Sequence, residues 1–316
     1  RLEVVETWTV RTDDGNGHLE LHTIRPAGHA PGRAAASGAA VAARGKGSGI
    51  VVVHGTLITD ALYRSFARKL CRLLEQPVHC YNRRGRAGSS HQPADYSAAT
   101  EVADLATVLR ETGASDVVAH SYGGFVALEA ARSLPIRRMV TYDAAVSLSG
   151  NLTRRWRPEL EKSVAAGELD HAWAHLVQGL ETAGPVSMLP LGALRMLSIL
   201  SARTSLGAEM RELLPTAVKE MRAVLAADAE LDDFAGITTP TLMLTGGWSP
   251  GYFAETGRQL AASVPAIEFA AVPGQLHEGP IRPGNRRLAL IAARFLLDGD
   301  GVPARLRIRR RLRPAR

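Results

Sequence analysis

Residues 117–124, which read Val-Val-Ala-His-Ser-Tyr-Gly-Gly, decide how the rest of this 316-residue chain is interpreted. The apolar start is typical of a buried strand, and a helical pattern begins at residue 122. Ser121 lies at the junction. The small residues Ala119 and Gly123, two positions before and after it, allow a very tight turn that would lift the serine hydroxyl above a sheet. The alternative is a serine that only caps the following helix, which is a common role.

The flanking sequence predicts strands that alternate with helices. Residues 4–10 and 19–24 predict a hairpin, and residues 25–48 predict a loop. Further strands are predicted at residues 50–53, 77–81, 116–119, 136–142, 241–245 and 267–272. Helices are predicted at residues 57–74, 96–112, 122–133, 252–263 and 286–297. This alternation indicates an α/β fold with a mostly parallel, doubly wound sheet.

The alternation stops over residues 152–229, which contain several helical patterns and no convincing strand. We interpret this block as a helical cap inserted into an interrupted sheet domain. The expected organisation is a core (residues 1–146), a cap (147–236), a second part of the core (237–300) and an arginine-rich tail (301–316).

The cap also has apolar side chains at helical spacing, and we expect most of them to pack onto the sheet domain. Any of them that faces a cleft would favour an apolar acyl or alcohol group. These side chains are Met188, Leu191, Leu194, Met196, Leu197 and Leu200.

The charge distribution argues against a nucleic-acid partner. The net charge is +7, but residues 302–316 carry seven of the 38 basic residues and no acidic one. The rest of the chain is therefore balanced, with 31 basic and 31 acidic residues. Hydrophobic residues make up 46% of the chain, which excludes overall disorder. No apolar run approaches the ~18 residues that span a bilayer, so we expect no stable membrane insertion.

Cysteine and histidine usage excludes some other classes. Cys71 and Cys80 are the only cysteines, too few for a disulfide framework or a four-cysteine zinc site. With no signal peptide at the start, they suggest a reducing, cytoplasmic location. His171 and His175 are four residues apart, but without a third ligand such a pair is usually an ordinary helix face. We therefore expect no metal and no cofactor.

A serine nucleophile needs a base and an acid, and the sequence offers one of each in a suitable place. His277 follows a predicted strand and the turn Pro-Gly-Gln at 273–275, which brings an imidazole to the same sheet edge as Ser121. The strand at 136–142 is followed directly by Asp143, whereas the turn after the 241–245 strand has no carboxylate. Asp143 is thus the predicted acid; the alternative is an aspartate that only caps its own turn.

Stabilisation of an oxyanion requires amide donors, and two positions could supply them. His54-Gly55-Thr56 follows the buried run 50–53, so its backbone can present the amide of Thr56. The amide of Tyr122 comes from the serine turn itself. His54 and His120 each adjoin one of these turns, and we expect them to shape it.

Together these motifs resemble the α/β-hydrolase fold family with a helical cap. The resemblance rests on His54-Gly55, on Tyr-Asn-Arg-Arg-Gly-Arg at 81–86, on the Ser121 turn and on Gly-Gln-Leu-His at 274–277. The chain is similar in particular to actinobacterial capped serine hydrolases of poorly defined substrate, which also have a Gly-Gly-x-Ser-Pro turn, as at 246–250. The resemblance covers roughly residues 1–300 and is weakest in the cap.

The chain departs from the family pattern at three positions. Ala119 replaces the usual first glycine of the serine turn, and Asn82 replaces the usual aspartate of the arginine-rich turn. Ser249 stands where the acid after the seventh strand is usual. Some branches of the family have their acid after the sixth strand, which agrees with Asp143.

The resemblance and the serine nucleophile imply a serine hydrolase that cleaves a small or medium apolar ester, thioester or lactone through an acyl-enzyme. One alternative is non-hydrolytic acyl transfer or cyclisation in a biosynthetic pathway; another is a catalytically silent ligand-binding member. The expected partner is a small apolar acyl substrate, and a homodimer is left open.

The arginine-rich tail is predicted to be dispensable for catalysis. Deleting residues 302–316 should leave the hydrolysis rate of a neutral ester within a factor of ~2, because exposed charges beyond a Debye length are screened. The isoelectric point should fall sharply, which verifies the deletion. A large loss of activity at physiological salt would contradict the predicted domain organisation.

Overall fold

The computed structural model describes residues 3–27, 49–282 and 286–298. Most of the predicted loop at 25–48 and all of the tail at 301–316 lie outside the described residues. The sheet has eight strands: β1 (Glu3–Arg11), β2 (His18–Pro26), β3 (Ile50–Val53), β4 (Val78–Tyr81), β5 (Asp116–His120), β6 (Arg138–Tyr142), β7 (Thr241–Gly246) and β8 (Ile267–Val272).

The strand order is β1-β2-β4-β3-β5-β6-β7-β8. Strands β1 and β2 form an antiparallel hairpin, and β2 also pairs antiparallel with β4. From β4 to β8 every neighbouring pair is parallel. The predicted α/β class and the mostly parallel sheet are confirmed.

The helices follow the predicted alternation with small shifts. They are α1 (Arg64–Leu74), α2 (Ala98–Thr112), α3 (Tyr122–Ala131), α4 (Arg157–Ala165), α5 (Leu169–Leu180), α6 (Leu191–Ser201), α7 (Ser205–Glu212), α8 (Leu214–Ala226), α9 (Gly251–Ser263) and α10 (Arg286–Asp298). Among the helices that the structure describes, none combines the length and apolar character needed to cross a bilayer.

The largest error among the predicted element boundaries is the start of α1. A helix was predicted from residue 57, but Leu57 has a left-handed backbone (φ 62°) and Asp60–Tyr63 forms a separate 3₁₀ turn. An L-residue in this region cannot continue a right-handed helix, so α1 begins only at Arg64.

The core has two layers because successive residues of β5 point to opposite faces of the sheet. Val117 belongs to the apolar cluster that contains Leu105 of α2 and Phe125 of α3. Val118 belongs to the other cluster, which contains Phe66 of α1. Burial on both faces is why this strand reads as a continuous apolar run.

Helices α4 to α8 lie in the chain between β6 and β7, where the cap was predicted. The prediction that most of the selected apolar cap residues pack onto the sheet domain is wrong. Leu194 is buried, but Met188 is 86% exposed and Met196, Leu197 and Leu200 are also exposed. The reason is that α6 packs mainly against α5, and no further layer of the described residues covers most of its apolar side chains.

The turn between β5 and α3 brings the backbone of α3 against the end of β3. A Cβ atom at Gly123 would lie 2.3 Å from the carbonyl oxygen of Val53 and 2.7 Å from that of His54. A Cβ atom at Gly124 would lie 2.8 Å from Cα of Ala144. Only glycine allows this approach, so Gly123 and Gly124 let the serine turn fit between the ends of β3 and β6.

Gly123→Ala should therefore destabilise the protein by roughly 3 kcal/mol, the upper part of the usual range for overpacking. Because the obstructing atoms are backbone carbonyls, the clash cannot be relieved by a side-chain rotation. Urea denaturation measures the change. The matched control is Gly192→Ala in α6, where an added Cβ meets nothing within 4 Å and stability should be unchanged or slightly higher. Equal midpoints for the two variants would contradict this account.

Candidate active site

Ser121 occupies a strained turn at the carboxyl edge of the sheet. Its backbone angles are φ 56° and ψ −123°, a conformation that a non-glycine residue adopts at a cost of about 1–3 kcal/mol. The turn is held by a 3.0 Å hydrogen bond from its amide to the carbonyl of Tyr142. From this turn the Ser121 hydroxyl reaches the loop after β8, which contains His277.

The structure brings the three predicted catalytic side chains together. Nε2 of His277 lies 3.1 Å from Oγ of Ser121, and Nδ1 of His277 lies 3.0 Å from Oδ2 of Asp143. An ionised carboxylate only accepts hydrogen bonds, so Nδ1 carries the proton and Nε2 accepts from the serine hydroxyl. In this tautomer the imidazole can take the serine proton.

Asp143 is buried and its carboxylate is fully used. Oδ1 accepts hydrogen bonds from Thr245 Oγ1 at 2.6 Å and from the Gly246 amide at 3.1 Å. Oδ2 accepts from Ser249 Oγ at 2.6 Å as well as from His277. These donors fix the position of the carboxylate that faces the imidazole. Ser249, the position where an acid is usual in the family, thus supplies a donor to the acid.

Aromatic side chains fix the orientation of the imidazole. The Phe253 ring stacks on the His277 ring with centroids 5.1 Å apart and an interplanar angle of 10°. Tyr142 donates a 2.6 Å hydrogen bond to the carbonyl of Leu276, one residue before the base. Neither residue was predicted, because contacts of this kind depend on tertiary packing rather than on a local motif.

A buried relay of hydrogen bonds connects the loop of His277 with the turn after β3. The Gly55 amide donates to Tyr63 Oη at 3.1 Å, and this hydroxyl lies 2.6 Å from Nδ1 of His120. Nε2 of His120 lies 2.9 Å from the carbonyl of His277, which can only accept, so Nε2 is protonated. Burial, and to a smaller extent the nearby His277, holds the pKa of His120 well below its ordinary value. His120 is therefore neutral and shapes both turns.

The two predicted oxyanion donors are the amide of Tyr122, next to Ser121 in the chain, and the amide of Thr56, in the turn after β3. Tyr122 is the first residue of α3, so its amide has no acceptor within the helix. Gly55 packs directly on the nucleophile, since a Cβ there would lie 3.0 Å from Cβ of Ser121. The Thr56 amide belongs to the same turn, and among the described residues it has no backbone acceptor.

A buried group of four charged side chains lies behind this turn, and sequence reasoning missed it. We call Arg83, Arg86, Glu101 and Glu220 the Arg83 cluster. Nη1 of Arg83 lies 2.8 Å from Glu101 and 2.7 Å from Glu220, and all three side chains are fully buried. Burial opposes ionisation of Glu220, but Arg83 and Arg86 outweigh it and hold its pKa below the ordinary value. The arginine-rich motif at 81–86 was the available signal, but nothing in the sequence identified Glu220 as its partner.

A largely apolar cavity opens at Ser121. Its volume is about 180 Å³. Apolar side chains from the loops after β3 and β6 and from helices α5, α7, α8 and α9 line it. These include Leu57, Ile58, Leu152, Trp173, Leu176, Val177, Leu180, Met210, Met221, Val224 and Phe253. None of the six apolar cap residues selected from the sequence lines the cavity.

The remaining candidates lie away from this site. The rings of His171 and His175 are 5.2 Å apart on α5, and no group of three or more potential ligands among the described residues could hold a metal ion. Cys71 and Cys80 are buried and form no disulfide.

Asp143→Asn should lower kcat for an ester substrate by ~10²–10⁴, because the amide no longer holds the productive tautomer of His277. Its melting temperature should also fall, since an amide nitrogen would face hydrogen-bond donors. The control is Asp116→Asn, which changes a buried aspartate, paired with Arg137, at the other edge of the sheet. That variant should lose stability and keep kcat. A silent Asp143→Asn would show that another group orients His277.

Comparisons with known proteins agree with this architecture. Solved structures with the same fold include an alpha/beta hydrolase from Sphaerobacter thermophilus DSM 20745 (TM-score 0.69, 23% identity, 91% of this chain and 99% of that chain covered). Others are a hydrolase from Pseudomonas aeruginosa PA01 (0.60, 20%, 91% and 98%) and a bromoperoxidase from Bacillus anthracis (0.64, 17%, 91% and 99%). No protein with curated annotation matches the sequence significantly. At these identities the likeness shows a shared fold and not a shared reaction. The profile of the alpha/beta hydrolase family, however, matches residues 50–313, and this chain therefore belongs to that family.

Proposed function

We propose that the protein is a serine hydrolase that cleaves a small or medium apolar ester, thioester or lactone through an acyl-enzyme. The observation that carries the proposal is the continuous pair of hydrogen bonds from Ser121 through His277 to Asp143, at the mouth of an apolar cavity. A serine with this base is the arrangement needed for attack on a carbonyl carbon.

In the proposed reaction the oxygen of Ser121 attacks the substrate carbonyl carbon as Nε2 of His277 takes the hydroxyl proton. The carbonyl electron pair moves onto oxygen, and the amides of Thr56 and Tyr122 stabilise that charge. Collapse of the tetrahedral intermediate breaks the bond to the leaving group, which receives the proton from His277. Water then attacks the acyl-enzyme by the same route and releases the acid.

The charge of Asp143 has a defined part in this cycle. When His277 becomes an imidazolium, the buried carboxylate 3.0 Å away stabilises the positive charge. The hydroxyls of Thr245 and Ser249 keep that carboxylate in place, so it need not reorient during the proton transfer. The acid thus acts through position and charge while it remains ionised.

The substrate class is inferred from the cavity. A cavity of about 180 Å³ suits a small or medium substrate group. The walls are mostly aliphatic and aromatic, which favours an apolar acyl or alcohol group. The side chains of Trp173 and Leu176 come from α5, so the cap contributes to the selection.

Labelling with a fluorophosphonate tests the nucleophile. The wild-type protein should react at one serine and hydrolyse a short-chain p-nitrophenyl ester, whereas Ser121→Ala should lose the label and at least ~10³ of kcat. Ser147→Ala is the matched control, because that buried serine bonds Asp228 outside the site. It should keep both properties. Wild-type turnover in Ser121→Ala would exclude Ser121 as the nucleophile.

A further inference from the structure

Helix α8 reaches the turn after β3 with a carboxylate that has no exposed surface. Oε2 of Glu220 accepts a hydrogen bond from Thr56 Oγ1 at 2.7 Å. Oε1 of Glu220 lies 2.7 Å from Nη1 of Arg83 and 2.7 Å from Nη2 of Arg86. One side chain from the cap region therefore binds the turn and the two arginines behind it.

The other N–H groups of the two arginines donate hydrogen bonds to backbone carbonyls of the same turn. Nη2 of Arg83 donates to the Gly55 carbonyl at 2.9 Å, and its Nε donates to the His54 carbonyl at 3.1 Å. Nε of Arg86 donates to the Ile58 carbonyl at 3.0 Å. The carbonyls on both sides of Thr56 are thus bound to side chains whose charge Glu220 compensates.

Because the peptide bond is planar, contacts to the Gly55 carbonyl also fix the orientation of the Thr56 amide. The Gly55 carbonyl and the Thr56 N–H belong to one planar trans peptide, so they point in opposite directions. Arg83 and Nδ1 of His54 bind the carbonyl side at 2.9 Å each. With the carbonyl held there, the Thr56 N–H is directed away from Arg83. Gly55, in the same peptide unit, packs on Ser121.

We propose that Glu220 is a positioning residue for the oxyanion hole, acting through Thr56 Oγ1 and Arg83 to fix the Gly55–Thr56 peptide. This inference rests on the proposed hydrolase function and adds a cap helix to its machinery. Met221 and Val224 of the same helix line the cavity, so the acyl wall and an oxyanion donor are set by one element.

Thr56→Val tests the link, because it removes the hydroxyl while every ion pair of the Arg83 cluster keeps both partners. We expect kcat to fall ~10–100-fold with KM within a factor of ~3, since misplacing a donor costs less than the ~10²–10³ of removing one. Thr56→Ser, which keeps the hydroxyl, should stay within ~3-fold of wild type. Glu220→Gln should resemble Thr56→Val, provided that it folds.

A trifluoromethyl ketone analogue of the ester separates positioning from general structural damage. Its adduct with Ser121 places a negative oxygen in the oxyanion hole, so its inhibition constant should rise in Thr56→Val by the same factor as kcat/KM falls. The matching secondary alcohol, which forms no adduct, should bind as before.

Lys219→Met is the control on the same helix. Lys219 donates to the carbonyls of Gln92 and Pro93, so the variant loses a contact between α8 and the core outside the oxyanion turn. It should lower the melting temperature and leave kcat and the ketone constant unchanged.

Three outcomes would overturn the inference while the proposed function stands: an active Thr56→Val enzyme with wild-type constants, an equal loss of affinity for the alcohol, or the same kinetic loss in Lys219→Met. A wild-type protein that neither hydrolyses the ester nor binds the ketone would instead overturn the proposed function, and this inference with it.

Discussion

The site depends on how closely the end of β3 approaches the turn between β5 and α3. Carbonyl oxygens of β3 occupy the space where a Cβ of residue 123 would lie, and Gly55 lies against Ser121 itself. This close contact brings Ser121 next to the backbone of the turn that follows β3. The parallel order of the sheet then adds Asp143 from β6 and His277 from the loop after β8, because all these carboxyl ends meet at one edge.

Local sequence patterns predicted the strands at this edge of the sheet well, but they did not predict the tertiary contacts. The runs of β3, β5 and β8 contain enough apolar residues to be recognised almost to the residue, and Ser121, His277 and Asp143 each follow such a run. By contrast, Leu57 has a left-handed conformation that its residue type does not indicate, so the start of α1 was misplaced. The exposure of Met188 and Met196 was also missed, because helical spacing of apolar residues does not reveal whether a partner layer exists.

The Arg83 cluster shows why the charged residues that lie behind such a site are hard to predict from sequence. Glu220 lies 137 residues from Arg83 in the chain, and the two meet only because α8 folds back over the core. Two buried arginines and two buried glutamates compensate one another's charge, and the arginines also donate to nearby carbonyls. Any one of these charges left alone would be strongly unfavourable. The cluster therefore forms only in the folded chain, and it makes the contact between α8 and the turn after β3 polar, while the cavity beside it is largely apolar.

The position of the acid on β6 also affects how the site can vary. The loop after β7 supplies only the Ser249 hydroxyl to the acid, and the helix that follows it contributes Tyr252 and Phe253 to the cavity wall. A carboxylate in that loop would place the partner of His277 and part of the cavity wall on one short segment. Here the partner of His277 is Asp143, which follows the central strand β6. Insertions or exchanges after β7 that keep Ser249 and Phe253 can therefore reshape the substrate side while the carboxylate that faces His277 stays in place.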